Sequence, residues 1–424
     1  MSHHPFLVDL RAHMRNRSDN RIDFLAPYVG FPLIFILGLL LAVLPLATNV
    51  IKVKPVTIIV VISSMICYLC GALPVLLLNS VCGAKVITIC CLCRQNKRYL
   101  KILFLLYAIC MGALLYEYAL FGSIPLLSAT VENDRFAFMQ SGYIHLIAMT
   151  IVPTSLCIIA YFIENRKTLS LSTRMLLLGA IVFAAFAVLG VGSRGHLIIS
   201  IAIILVYYHY RKTNIRLITF CLFGVVGFVF LSAFKFLREY LLWGDLYIAS
   251  LDSIWRLKGY YWLVPGYLTV AMNYSVLDKL IETFPNNLSH TYGYFFSFPI
   301  RSLLPGVDED LGQFQNRVWD TGFDKTLTST YLGVPFADFG IIGTSIFSFC
   351  LGLAMTWLYV VMKQRRTPSI TFVYSYLVVN LYLCLYTNNY QYFHFYWNLV
   401  YIAFLSNLWF YKNDSNNHRC THER

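Results

Sequence analysis

The chain is poor in charge. Of its 424 residues only 12% are Asp, Glu, Lys or Arg, while 58% are hydrophobic. Soluble domains carry roughly a quarter charged residues, so a soluble globular domain is excluded, as is a disordered chain. A cysteine framework is also lacking. Of the twelve cysteines, those at 67, 70, 110, 157, 221, 350 and 384 fall in apolar runs, where a thiol behaves as a small hydrophobe. Cys90 and Cys93 form a lone CxxC with no second pair and no His at ligand spacing, so no metal is expected. Met1 to Asp23 has neither an apolar core nor a small-residue cleavage site, so no cleaved signal peptide is expected. No internal repeat is apparent, and ionisable groups are scarce within the apolar runs, Glu117 being the nearest case. Both absences argue against an inverted-repeat transporter or a proton-coupled pump.

What is present is a series of apolar runs of the length a bilayer requires, about 20 residues each. They lie near 27–50, 56–81, 99–122, 141–163, 174–192, 196–210, 215–234, 339–361, 371–388 and 394–411. The expected fold is an all-α polytopic membrane protein of about ten transmembrane helices. The formal charge of +13 does not point to nucleic acid. The basic residues cluster in alternate connections: Arg11 to Arg21, Lys85 to Lys101, Arg166 to Arg174, Arg211 to Arg216, Lys363 to Arg366, and the tail from Lys412. By the positive-inside rule both termini are cytoplasmic. The expected organisation is therefore a cytoplasmic segment 1–26, seven helices over 27–234, an outward loop over 235–338, three helices over 339–411, and a cytoplasmic tail 412–424. Within the loop, Tyr260 to Leu277 is apolar but broken by Pro265-Gly266, and is read as interfacial or re-entrant.

The long loop is the expected working part. It holds 11 of the 20 carboxylates, no cysteine, and aromatics throughout, and loops of such length inside compact proteins are usually functional. Its candidate residues are His290, Tyr292, Arg301 (between Pro299 and Pro305), Arg317, Arg238 and Asp338, the last opening the eighth helix, where a carboxylate also serves as a cap. Asp308-Glu309-Asp310 is read as a solvated acidic turn. Outside the loop, Arg194 lies in the Gly-rich turn Gly192-Ser193-Arg194-Gly195. Glycines allow close backbone approach and guanidinium matches phosphate oxygens, although an arginine at a helix end also snorkels to headgroups. Arg135 is a further outward cation. His145 and His209 lie near helix ends with no obvious partner.

At these residues the chain resembles the oligosaccharide repeat-unit polymerases, the Wzy-type O-antigen polymerases. The resemblance covers roughly residues 99 to 361. It rests on Gly122 to Leu127, on Gly192 to Gly195, and on an ordered loop: Tyr292-Gly293, Pro299-x-Arg301, Pro305, a Ser/Thr-rich stretch at 326–330, then Asp338-Phe339-Gly340 and Gly343. It departs from the family in having Gly306-Val307-Asp308 where a Lys-Pro pair is common. The resemblance implies a GT-C-like helical body in the bacterial inner membrane. It also implies a metal-free and cofactor-free glycosyltransferase, joining undecaprenyl-diphosphate-linked repeat units at the periplasmic face, with a flippase and a chain-length regulator as partners. In that chemistry Arg194 and Arg301 are expected to bind diphosphate, with Arg135 and Arg238 assisting. Asp338, Asp308 and His290 are candidate bases. Alternatives are a ligase passing glycan to another lipid, a flippase or other transporter, and, lower, a membrane acyltransferase.

Overall fold

The computed structural model describes residues 23–44, 46–48, 53–81, 97–127, 142–192, 194–304, 309–319 and 327–410. Among these the regular structure is helical, with an isolated antiparallel bridge between Ala47 and Trp255. The helices before the long loop are α1 (Pro27–Val43), α2 (Pro55–Val81), α3 (Lys97–Phe121), α4 (Tyr143–Met149), α5 (Ile151–Asn165), α6 (Leu171–Gly190), α7 (Arg194–Arg211) and α8 (Leu217–Trp243). The loop contributes α9 (Asp245–Ile254), α10 (Val264–Thr283), α11 (Phe298–Arg301) and α12 (Leu311–Trp319). Then come α13 (Gly333–Arg365), α14 (Pro368–Leu383) and α15 (Phe393–Phe410).

A helix thus occupies each of the ten apolar runs. Among the described residues, six spans are long and apolar enough to cross a membrane: α2, most of α3, α4 continued by α5, α6, α8 and α13. The pair α1 and α14 is apolar but shorter. The helix α8 continues through Lys235 to Trp243, so Arg238 lies inside a helix.

Basic side chains gather one end of the bundle. Arg211 Nε and Nη2 pair with Glu164 at the end of α5, and its Nη1 donates to the Arg366 carbonyl at the end of α13. Lys363 meets Asp23 at 2.9 Å, beside hydroxyls of Tyr210 and Tyr359 that donate to the same carboxylate. The centre is held by close packing of α2 on α13. Gly71 and Gly352 let the two backbones touch: a Cβ on either would strike the carbonyl of Phe349 or Tyr68. Such small-residue contacts replace the hydrophobic drive that lipid removes.

Two loop elements fold differently from the sequence expectation. Pro265 does not break its segment; it sits in the first turn of a continuous 20-residue α10, where a missing N–H costs nothing. Both ends of α10 are tied to the same end of the α1–α2 pair. Tyr267 donates to the Leu44 carbonyl, while Asp278 accepts from the Lys54 N–H and the Thr57 hydroxyl.

The second correction concerns Asp338, which does not open a straight span. α13 breaks at Gly340, whose φ of +65° reverses the chain. Residues 333–339 then lie back along the helix that follows, so that a Cβ on Gly343 would sit 2.6 Å from the Pro335 carbonyl oxygen. Tyr331, fully buried, reaches Ser348 Oγ at 2.9 Å. Residues 331–339 are therefore a hairpin arm folded back on the rest of α13.

Candidate functional site

The hairpin arm explains what several loop candidates do. Asp338 is fully buried. Its carboxylate accepts from the N–H groups of Phe295 (3.2 Å) and Phe296 (2.8 Å) and from the Thr291 hydroxyl. Tyr292 donates its N–H to the Asp338 carbonyl at 3.1 Å, and the Thr291 N–H donates to the Ala337 carbonyl at 3.2 Å. Tyr292 takes a left-handed φ of 48°, with its side chain exposed. His290 Nδ1 lies 3.2 Å from the Ala337 carbonyl, so it carries the proton, and its ring stacks on Phe284. Asp338 and His290 are thus brought together, but as the clamp that fastens residues 290–296 to the hairpin.

The other cations are held in several ways. Arg301 donates to Ser297 Oγ (3.0 Å) and the Tyr294 carbonyl (2.9 Å), and its guanidinium lies 3.7 Å over the Tyr294 ring. Arg317 makes a two-pronged pair with Glu309, and Arg238 pairs with Glu239 on its own helix. Arg194 begins α7, after Gly192 with its φ of 79° and before the exposed Gly195. Arg135, Asp308 and the Arg194 side chain lie outside the described residues.

Asp310 is not part of a solvated turn. It is buried, caps α12 through the Gln313 N–H (2.7 Å), and receives the Gln313 side chain on its own N–H. This is the reciprocal capping arrangement, legible as Asp-x-x-Gln. Its second oxygen accepts from the Tyr392 hydroxyl at 3.2 Å. Burial pushes the Asp310 carboxyl above its usual range, against the opposing pull of these donors. The loop is therefore docked on the start of α15, where Phe298 also meets the Tyr392 ring, and on the start of α4, where Tyr143 donates to the Leu303 carbonyl.

Beneath this docking lies a cavity of about 180 Å³, at the end of the bundle opposite Arg211 and Arg366. Its polar lining comes from His196, Tyr376, Asn380, Asn389, His394 and Asn398, and Gly195 reaches its rim. Asn389 donates to Asn380 Oδ1 at 2.8 Å, and Asn380 donates to the Tyr376 carbonyl at 2.8 Å, which fixes the amides. An apolar groove of about 320 Å³ runs between α5, α6 and α7. Ile159, Ile181, Val188, Ile201 and Leu205 supply much of its wall. The two spaces share Val152, Leu156 and His196 in their walls, so a chamber with a polar patch lies beside an apolar furrow.

Sequence reasoning missed His394, Asn380, Asn389 and Asn398. The available signal was spacing: His394 and Asn398, and Tyr376 and Asn380, are each four residues apart and share a helix face. It also missed a partner for His145, whose Nδ1 lies 3.3 Å from both oxygens of the fully buried Glu117. His209 likewise has a partner, accepting the Ile215 N–H at 3.0 Å. Among the described residues no group of three or more His, Cys, Asp or Glu is placed to hold a metal.

The fold and cavity define a class: an all-helical, membrane-embedded protein with a partly polar chamber beside an apolar furrow. No family model, curated protein or solved structure matches the chain.

Proposed function

We propose that this protein is a glycosyltransferase acting on lipid-linked glycans, in which the polar chamber takes the diphosphate and sugar and the furrow takes the start of the polyprenyl chain. The observation that carries the reading is the adjacency of the two spaces, which share His196 in their walls beside Gly195. A ligand with a polar head and a long apolar tail, entering sideways from lipid, matches both in chemistry. The leaving group is a diphosphate, so preorganised cations are needed where its charge accumulates. Arg194 stands at the chamber's rim by its place in the chain, and Arg301 belongs to the loop docked above.

In this reading the ten apolar helices span a bacterial inner membrane with a GT-C-like body. Both termini face the cytoplasm, and the loop with the chamber mouth faces outward. Repeat units on undecaprenyl diphosphate are joined there, the Wzy-type reaction that the sequence resembles, with a flippase and a chain-length regulator as partners. The test is purified protein in liposomes supplied with repeat-unit lipid alone. A ladder of polymer lengths is expected, whereas product only after a second acceptor lipid is added favours a ligase. Arg194→Ala is expected to abolish the ladder and Arg194→Lys to keep part of it; normal-length polymer from Arg194→Ala at matched protein level contradicts the role given to Arg194.

A further inference from the structure

We propose that His394 is the base that takes the proton from the acceptor sugar hydroxyl, an assignment that rests on the transferase reading above. His394 lines the chamber as part of its polar patch. Among the described residues none hydrogen-bonds either ring nitrogen, so a lone pair is available to a substrate. His290, His145 and His209, by contrast, do not line the chamber.

The ring is also held in place. Tyr392 stacks on it with centroids 5.5 Å apart and planes 17° apart, and the Tyr392 hydroxyl is in turn fixed by Asp310 from the long loop. Loop docking therefore sets the orientation of the base. The charged and titratable groups around it are His145, close enough to act on it electrostatically and itself facing Glu117, together with Tyr392 and Asp310 behind the ring and His196 across the chamber.

The step balances without a further reactant. The acceptor oxygen forms a bond to the anomeric carbon of the donor. The bond from that carbon to the diphosphate oxygen breaks, and its electron pair leaves with the diphosphate. The hydroxyl proton passes to a ring nitrogen of His394 and from there to water.

The experiment compares single-turnover transfer by wild type and His394→Gln in liposomes across pH, with binding of the same repeat-unit lipid measured in parallel. The expected result is a rate loss of about 100-fold or more, unchanged lipid binding, and disappearance of the acidic limb of the pH profile. A rate within a few-fold of wild type with an unchanged profile overturns the assignment and leaves the transferase reading intact. Wild-type protein that binds the lipid but transfers nothing overturns both. If His394→Gln does not fold, His394→Gly with added imidazole replaces it. Recovery of the rate by imidazole is expected, and no recovery in a variant that still binds lipid overturns the assignment.

Discussion

Pro335 and Gly343, eight positions apart in one run of sequence, lie against each other: a Cβ on Gly343 would sit 2.6 Å from the Pro335 carbonyl oxygen. A straight helix would put them about 12 Å apart along its axis. The contact exists because Gly340 turns the chain back at φ +65°, ψ −151°, a conformation that is essentially confined to glycine and costs a residue bearing a Cβ about 1–3 kcal/mol. Gly340→Ala is therefore expected to lower thermal stability in detergent by a few degrees. Gly343→Val, which drives a branched side chain into the arm, is expected to lower it further. Equal melting of both variants and wild type would contradict the hairpin.

Asp338 fastens the loop to that hairpin through Phe295, Phe296 and Thr291. Hydrogen bonds to a charged acceptor contribute about 1.5–3 kcal/mol each when broken singly. Asp338→Ala should loosen residues 290–301 locally, giving faster amide exchange and protease cleavage there while the apolar helices stay protected. Asp338→Asn, which keeps an acceptor, should fall between. Protection at 290–301 unchanged in Asp338→Ala would contradict the clamp.

Much of the helical architecture was legible, because lipid imposes a length and an apolarity that show in sequence. The hairpin was not, because residues 331–338 read as the end of the outward loop, with Asp338 opening a straight helix; the trace it left was the pair Gly340 and Gly343. Acidic residues in a row read as solvated, yet Asp310 is buried because Gln313 and Tyr392 lie within reach. The polar chamber was illegible for a different reason. Its lining is gathered from α5, α7, α14 and α15 and the turn at Asn389, and no single stretch carries it. His394 and the asparagines sit among aromatics, which draw the eye to packing.

The furrow makes its own prediction. Ala185 lines it and is only partly buried, so Ala185→Phe fills the space without crossing the core. The apparent affinity for repeat-unit lipid should fall at least about tenfold, a loss of roughly 1.4 kcal/mol, while a water-soluble analogue lacking the polyprenyl chain is affected far less. Equal losses for both would remove the furrow from substrate binding.

At the opposite end, Asp23 gives a pH signature. Burial acts to raise its pKa, but Lys363 and the Tyr359 hydroxyl outweigh it and hold the carboxyl below its usual 3.8. A depressed carboxylate adds stability that is present above the unfolded-state value and is lost as pH falls through the folded-state value. Asp23→Asn should therefore melt below wild type at neutral pH by an amount corresponding to about 1–2 kcal/mol. The gap should close as pH drops below 3.8. A gap independent of pH would assign the effect to packing instead.

The central claim is that the long loop and the chamber beneath it open on the outer face of the membrane. Tyr292, 78% exposed at the tip of the clamped segment, reports on this directly. Tyr292→Cys should react with a membrane-impermeant maleimide in spheroplasts, above the labelling of wild type. Labelling that appears only after the membrane is permeabilised would place the loop in the cytoplasm and contradict the account.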